Sequence, residues 1–175
     1  MDKIVSKDIK TIAILLALIL IYGLLIDPIL EDSLLLEPVT RLQAKAVYLL
    51  QVAWGLPVAV FESSLFYTDL ELQVNLIPLC VAFREVIIFL IVALIARTKP
   101  IKEIAFPLLA FVALILIENL LRIASLYHIA RIWEFSGMYA LHDFIWNFGQ
   151  AVFLGVIVLV WLILFSGLIK KDHKD

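Results

Sequence analysis

The chain has one cysteine, Cys80, among 175 residues. A single thiol makes no internal disulfide, and it excludes CxxC redox chemistry and multi-cysteine zinc sites. No GxSG motif offers an intramembrane serine nucleophile, and no HExxH motif offers a metalloprotease zinc site. There is no internal repeat and no low-complexity segment. The formal charge of -2 is small, and nothing in the charge pattern points to nucleic acid. No metal and no cofactor is expected from these residues.

Apolar side chains are abundant. They make up 64% of the chain, with a mean hydropathy of +1.07, against roughly 45–50% in soluble domains. The class this predicts is an integral membrane protein, one membrane domain over residues 1–175. A span needs ~20 mainly apolar residues, and four segments qualify: about 9–26, 76–96, 104–126 and 144–169. The first follows a basic start and has no A-x-A-like cleavage site after it, so it reads as a retained signal anchor. Four spans put both termini on one side, with the loop "ARTKPIKE". That side holds nine of the 14 lysines and arginines, so both termini are expected in the cytoplasm. Trp54, Trp133 and Trp146 fall on the outer side, where they suit an interfacial aromatic belt.

Residues 38–75 form an outer cap. In "PVTRLQAKAVYLLQVAW", Val39, Leu42, Ala46, Leu49, Leu50 and Ala53 recur at helical spacing, as in a helix lying in the interface. Gly55 and Pro57 end it. "LELQVNL" alternates strictly, a strand signal, and "FESSLFYTD" before it supplies a turn and a partner strand. The expected fold is therefore an all-α polytopic membrane protein of about four transmembrane helices, with an outer interfacial amphipathic helix and a small β-hairpin.

Charges inside the spans need explaining, because burying one in hydrocarbon costs at least about 2.5 kcal/mol. Cys80 lies 16 residues from Ala96, about 24 Å from the cytoplasmic end of its span at 1.5 Å per residue. Arg122 lies 18 residues from Ile104, about 27 Å up the neighbouring span. The two are expected at similar depth, just below the outer interface. With Asn75 as a cap and Pro78 in the first turn, Cys80 stands near a helix start. The macrodipole there, and a nearby guanidinium, lower a thiol's pKa. Arg84 is one turn on, and Glu85 is read as pairing with an arginine.

"ENLLR" places Glu118 and Asn119 one turn before Arg122. The bland alternative is a self-satisfied Glu118–Arg122 pair that anchors the helix end. Set level with Cys80, Arg122 is instead a candidate to stabilise a thiolate or an oxyanion. A cysteine nucleophile also needs a proton donor for the leaving group, usually histidine. His128 and His142 both lie on the outer side, and residue chemistry alone does not choose between them.

Three pieces, in order and spacing, resemble the exosortase/archaeosortase family of membrane transpeptidase-like enzymes. They are Cys80 with Arg84, "ENLLRI", and "LHDFIWNFGQAVF". The resemblance covers roughly residues 38–165, although "CVAFR" departs from the small polar residues usual after the cysteine. It implies Cys80 as nucleophile, Asn119 and Arg122 as the second motif and His142 as the third, with Arg84 and Glu118 in support. It further implies a cysteine peptidase or transpeptidase at the outer face of the cell membrane. Its substrates would be secreted proteins with a C-terminal sorting signal: a short motif, an apolar helix and a basic end. Membrane lipid, a lipid-linked acceptor, another amine or water would then resolve the acyl-enzyme. Two rivals stand beside this expectation. One is a small non-enzymatic transporter or channel subunit binding an anion at Arg84 and Arg122. The other is a scaffold for an envelope-assembly machine.

Overall fold

The computed structural model describes residues 36–166, together with residues 17, 18, 20, 21 and 24; the side chains of residues 134–136 and 147 are not described. The expected first span, about 9–26, otherwise lies outside the described residues. Helix α1 spans Glu37–Ala53. Three short strands follow, β1 (Val58–Phe61), β2 (Ser64–Tyr67) and β3 (Leu72–Asn75). A 3₁₀ turn at Pro78–Cys80 leads into helix α2 (Phe83–Ile95). Helix α3 runs over Ile101–Phe144, a π-turn occupies Ile145–Gly149, and helix α4 covers Gln150–Phe165.

α1 stops where the sequence requires. Gly55 has φ +75°, a backbone that glycine adopts without steric cost. Its N–H bonds to the Val52 carbonyl, and the Leu56 N–H bonds to that of Gln51. This is a Schellman ending, which satisfies two orphan carbonyls. The strands form an antiparallel meander in the order β1-β2-β3. Phe61 pairs with Ser64 and Tyr67 with Leu72. The left-handed backbone of Glu62 and Glu71 closes the two turns. The expected hairpin is thus a three-stranded sheet.

α1 packs on the protein with a face other than the apolar one read as lying in the interface. Thr40, Ala44, Val47 and Gln51 face inward, while Leu42 and Leu49 are 68% and 65% exposed. The inward polar groups are satisfied, as buried polar groups must be. Thr40 Oγ1 donates to the Leu36 carbonyl. Gln51 Nε2 donates to Tyr67 Oη at 2.8 Å and to the Ala124 carbonyl at 3.0 Å. Tyr127 Oη donates to Asp69 Oδ2 at 2.6 Å. These bonds pin α1 and the sheet onto α3 around Val47, Leu65, Tyr67 and Ala124.

The expectation of about four spans is overturned. Among the described residues, one helix, Ile101–Trp133, is long and apolar enough to cross a membrane. The second expected span, 76–96, contributes only the 13-residue α2, about 20 Å of helix against a hydrocarbon thickness of about 30 Å. Leu76–Ala82 is spent on leaving β3 and on the 3₁₀ turn at Pro78. Asn75 belongs to β3, where its Oδ1 accepts from Ser64 Oγ, and does not cap the helix. The fourth, 144–169, yields the 16-residue α4 behind a π-turn. The expected cytoplasmic placement of both termini rests on four spans, a count that the described residues do not support.

α3 does not run straight into α4. A straight helix would hold residues 122 and 146 roughly 36 Å apart, yet the Arg122 guanidinium carbon is 4.1 Å from the centre of the Trp146 ring. The chain therefore doubles back between them. Gly137 lies in that stretch, where a Cβ would meet the Trp133 Cβ at 2.7 Å. α4 returns along α2 and the first half of α3, and Thr98 Oγ1 donates to the Phe165 carbonyl at 3.1 Å. The core at this end is Phe89, Ala93, Ile104, Ile115, Ile157 and Trp161.

Candidate active site

The site lies at the seam between the sheet-capped end and the helical end. Cys80 ends the 3₁₀ turn, half-buried against the capped core. Its carbonyl accepts from Asn119 Nδ2 at 2.9 Å and from Gln43 Nε2 at 3.3 Å. Asn119, 1% exposed, then accepts through Oδ1 from Arg122 Nη2. One amide side chain thus holds the cysteine backbone on one side and the guanidinium on the other. Arg122 is 8% exposed, and its Nε and Nη1 have no protein partner.

Trp146 closes the far side. The π-turn adds a residue to the helical repeat there and re-aims the chain beyond it, a device that recurs at functional sites. The half-buried Trp146 ring lies over Arg122, a cation–π arrangement. The Arg84 guanidinium is 6.0 Å from the same ring. His142 stacks on it with centroids 6.2 Å apart and planes 16° from parallel, and His142 Nδ1 lies 3.5 Å from Asp143 Oδ1.

The thiol's environment differs from the one expected at a helix start. α2 begins only at Phe83, so Cys80 precedes it, outside the first turn. Burial pushes the Cys80 thiol up. A hydrogen bond from the backbone of Ile77 and the charge of Arg122 pull the other way and do not overcome it. Burial here favours the thiol over the thiolate.

The structure therefore brings together Cys80, Asn119 and Arg122, with His142 joined to them through Trp146. His128 sits elsewhere: it is exposed and packs its ring on Trp54 and Tyr127 at the capped end. Arg84 is half-buried beside Glu85, with contacts of 3.4 and 3.3 Å to Glu85 Oε1. Glu85 is 3% exposed, and its arginine partner is its own neighbour in sequence. Glu118 faces Arg122, Glu85 and the Gln150 amide. Sequence reasoning misses Gln43, Gln150 and the part played by Trp146, which it assigns to an aromatic belt. The available signal is "WNFGQ", in which Asn147 and Gln150 interrupt an expected apolar span.

Among the described residues no group of histidine, cysteine and carboxylates is arranged to hold a metal ion. No family model matches the chain, and neither a curated protein nor a solved structure does.

Proposed function

We propose that the protein is a membrane cysteine peptidase or transpeptidase that cleaves the C-terminal sorting signal of secreted proteins at the outer face. The observation that carries this reading is the Asn119 bridge. It ties the backbone of the chain's one thiol to a buried guanidinium that still has N–H groups to donate. Membrane placement is supported by the outward face of α3, where Phe106 and Leu109 are 84% and 67% exposed. Contiguous exposed apolar surface needs lipid or a partner to cover it.

The chemistry follows from the resting thiol. His142, joined to the site through Trp146, would swing within hydrogen-bond reach of the sulfur and take the Cys80 proton as the sulfur attacks the scissile carbonyl. The C–S bond forms, and charge develops on the carbonyl oxygen. A preorganised donor aimed at that charge is worth the most in a water-poor site, and the unpaired N–H groups of Arg122 suit the task. The C–N bond then breaks, and His142 returns the proton to the leaving amine. Water or an amine resolves the thioester and restores the thiol.

The test is cleavage of a reporter carrying a C-terminal apolar helix and basic tail. Cys80→Ala and Cys80→Ser should both abolish it at normal protein levels. Full cleavage by both variants would overturn the mechanism. The unpaired N–H groups of Arg122 also favour a second reading, an anion-binding transporter or channel subunit. In that case Cys80→Ala is silent, whereas Arg122→Gln removes anion flux.

A further inference from the structure

Arg122 is sealed as well as unpaired. Its Nε and Nη1 are buried and have no hydrogen-bond partner among the described residues, and its Nη2 is taken by Asn119. Buried donors are rarely left unmatched in native proteins, and an orphan calls for an explanation. Sealed donors serve no ligand until a neighbouring side chain moves. The neighbour that covers the guanidinium is Trp146, its ring centre 4.1 Å from the guanidinium carbon.

Trp146 has room to move. A cleft of about 200 Å³ opens beside it, between α2 and α4, and the ring lines it together with Arg84, Ile88, Ala151 and Leu154. One water takes up roughly 30 Å³, so the space is on the scale of an indole. The Arg84 guanidinium carbon is 6.0 Å from the ring centre, at the outer limit of a cation–π contact. The ring thus has two guanidinium groups in reach, one close and one at the edge. Each is held by its own bonds, Arg84 by Glu85 and Arg122 by Asn119, which leaves the ring as the moving part. We infer that Trp146 is a gate on Arg122. In the closed position the ring covers Arg122. A step between staggered rotamers carries it into the cleft and over Arg84, and Nε and Nη1 are then open to a ligand.

What the gate regulates rests on the reading of Arg122 as the oxyanion donor. An oxygen that accepts from Nε or Nη1 binds the open position alone, so a substrate carbonyl shifts the gate towards it. His142 stacks on the same ring. One movement therefore uncovers the donor and frees the imidazole to approach the sulfur. Without an acceptor the closed position prevails, and the site stays unassembled.

The test uses the full chain in detergent with phenylglyoxal, which modifies accessible guanidinium groups, and mass spectrometry of the peptide that holds Arg122. Exposed Arg97 is the internal reference. Arg122 should react in the parent, more slowly than Arg97. Trp146→Ala should quicken it about tenfold or more, the equivalent of losing a cation–π contact in a desolvated site. Leu154→Trp and Ala151→Phe fill the cleft that receives the ring, and both should slow the modification of Arg122. A loosened fold can only quicken it, so slowing by these variants separates the gate from a fold defect. With the sorting-signal reporter, the same two variants should slow cleavage. A ring that never moves predicts no effect of filling the cleft. Modification unchanged in both cleft variants, an Arg122 inert in the parent, or a Trp146→Ala rate equal to the parent's overturns the gate. Opposed effects of Trp146→Ala and the cleft variants, in a chain that cleaves no reporter in any form, uphold the gate and remove the peptidase reading instead.

Discussion

At the capped end, α1 and the sheet are fastened to α3 by side-chain hydrogen bonds threaded through an apolar core. At the helical end, α2, α3 and α4 meet through aromatic rings, Phe89 and Phe111 against Trp161, and Trp161 Nε1 finds no partner. The first core resembles that of a water-soluble domain, where polar groups are kept because each is paired. The second is held chiefly by packing, with the Thr98 bonds to the Phe165 carbonyl at its rim. The candidate site sits where one kind of packing gives way to the other. Asn119 and Arg122 bring polar bonding to the edge of the aromatic core, and Cys80 rests on the last turn of the cap. A buried arginine is tolerated there because Asn119 on its own helix, itself bonded to the Cys80 carbonyl, accepts its hydrogen bond and Trp146 supplies its ring.

The largest effect should come from breaking the packed end. Trp161 is fully buried and touches Phe89, Phe111 and Phe165. Trp161→Ala should cost about 3–5 kcal/mol, the range for deleting a large buried aromatic. Hydrogen exchange should quicken in α2 and α4 and leave the three strands nearly as protected as before. Equal loss of protection in the strands would show that the two ends are a single cooperative unit.

A smaller effect tests the bonded end. Gln51→Leu strands Tyr67 Oη and the Ala124 carbonyl, and should cost about 2 kcal/mol. Tyr67→Phe in the same chain should recover part of that loss, because the two groups share one network. Burial pushes the Tyr67 phenol up to about 12. The folded state therefore keeps its proton above the ordinary value of 10.0. That contribution is full below about pH 10 and is lost as pH rises to about 12. A stability profile measured over this window should fall in the parent and flatten in Tyr67→Phe. A parent profile with no slope there would mean the phenol is not held in a buried pair.

The cap is legible in the sequence because its signals are local. Strict alternation from Leu70 to Leu76 marks β3, and Gly55 marks the end of α1. Two features are not legible. The inward face of α1 carries Thr40 and Gln51, positions that lie off the apolar stripe read for an interfacial helix. Their partners, the Leu36 and Ala124 carbonyls and Tyr67, come from the fold, and those at Ala124 and Tyr67 lie far along the chain. The apolar run from Leu76 to Ile95 looks the same whether it begins as helix or as turn, since periodicity does not separate short buried elements. Pro78 is compatible with the first turn of a helix, yet it belongs to the 3₁₀ turn before α2. Counting helical rise along two full spans also predicts Cys80 level with Arg122. The two are joined by a different route, through the Asn119 side chain and a turn.

The smallest effects give the cleanest contrast, since two glycines with open space around them should respond with opposite sign. Gly55 closes α1 at φ +75°, and a Cβ there meets nothing within 4 Å. Gly155 lies inside α4, and a Cβ there also meets nothing within 4 Å. Gly55→Ala should destabilise by about 1 kcal/mol, because an L side chain in the left-handed region crowds its own carbonyl. Gly155→Ala should stabilise by up to about 1 kcal/mol, because alanine loses less backbone freedom in a helix. Neither change removes a contact, so any difference between them is conformational. Thermal unfolding of both variants in one detergent measures it. The same sign for both would mean either that Gly55 is not held in the left-handed region or that α4 is not helical at Gly155.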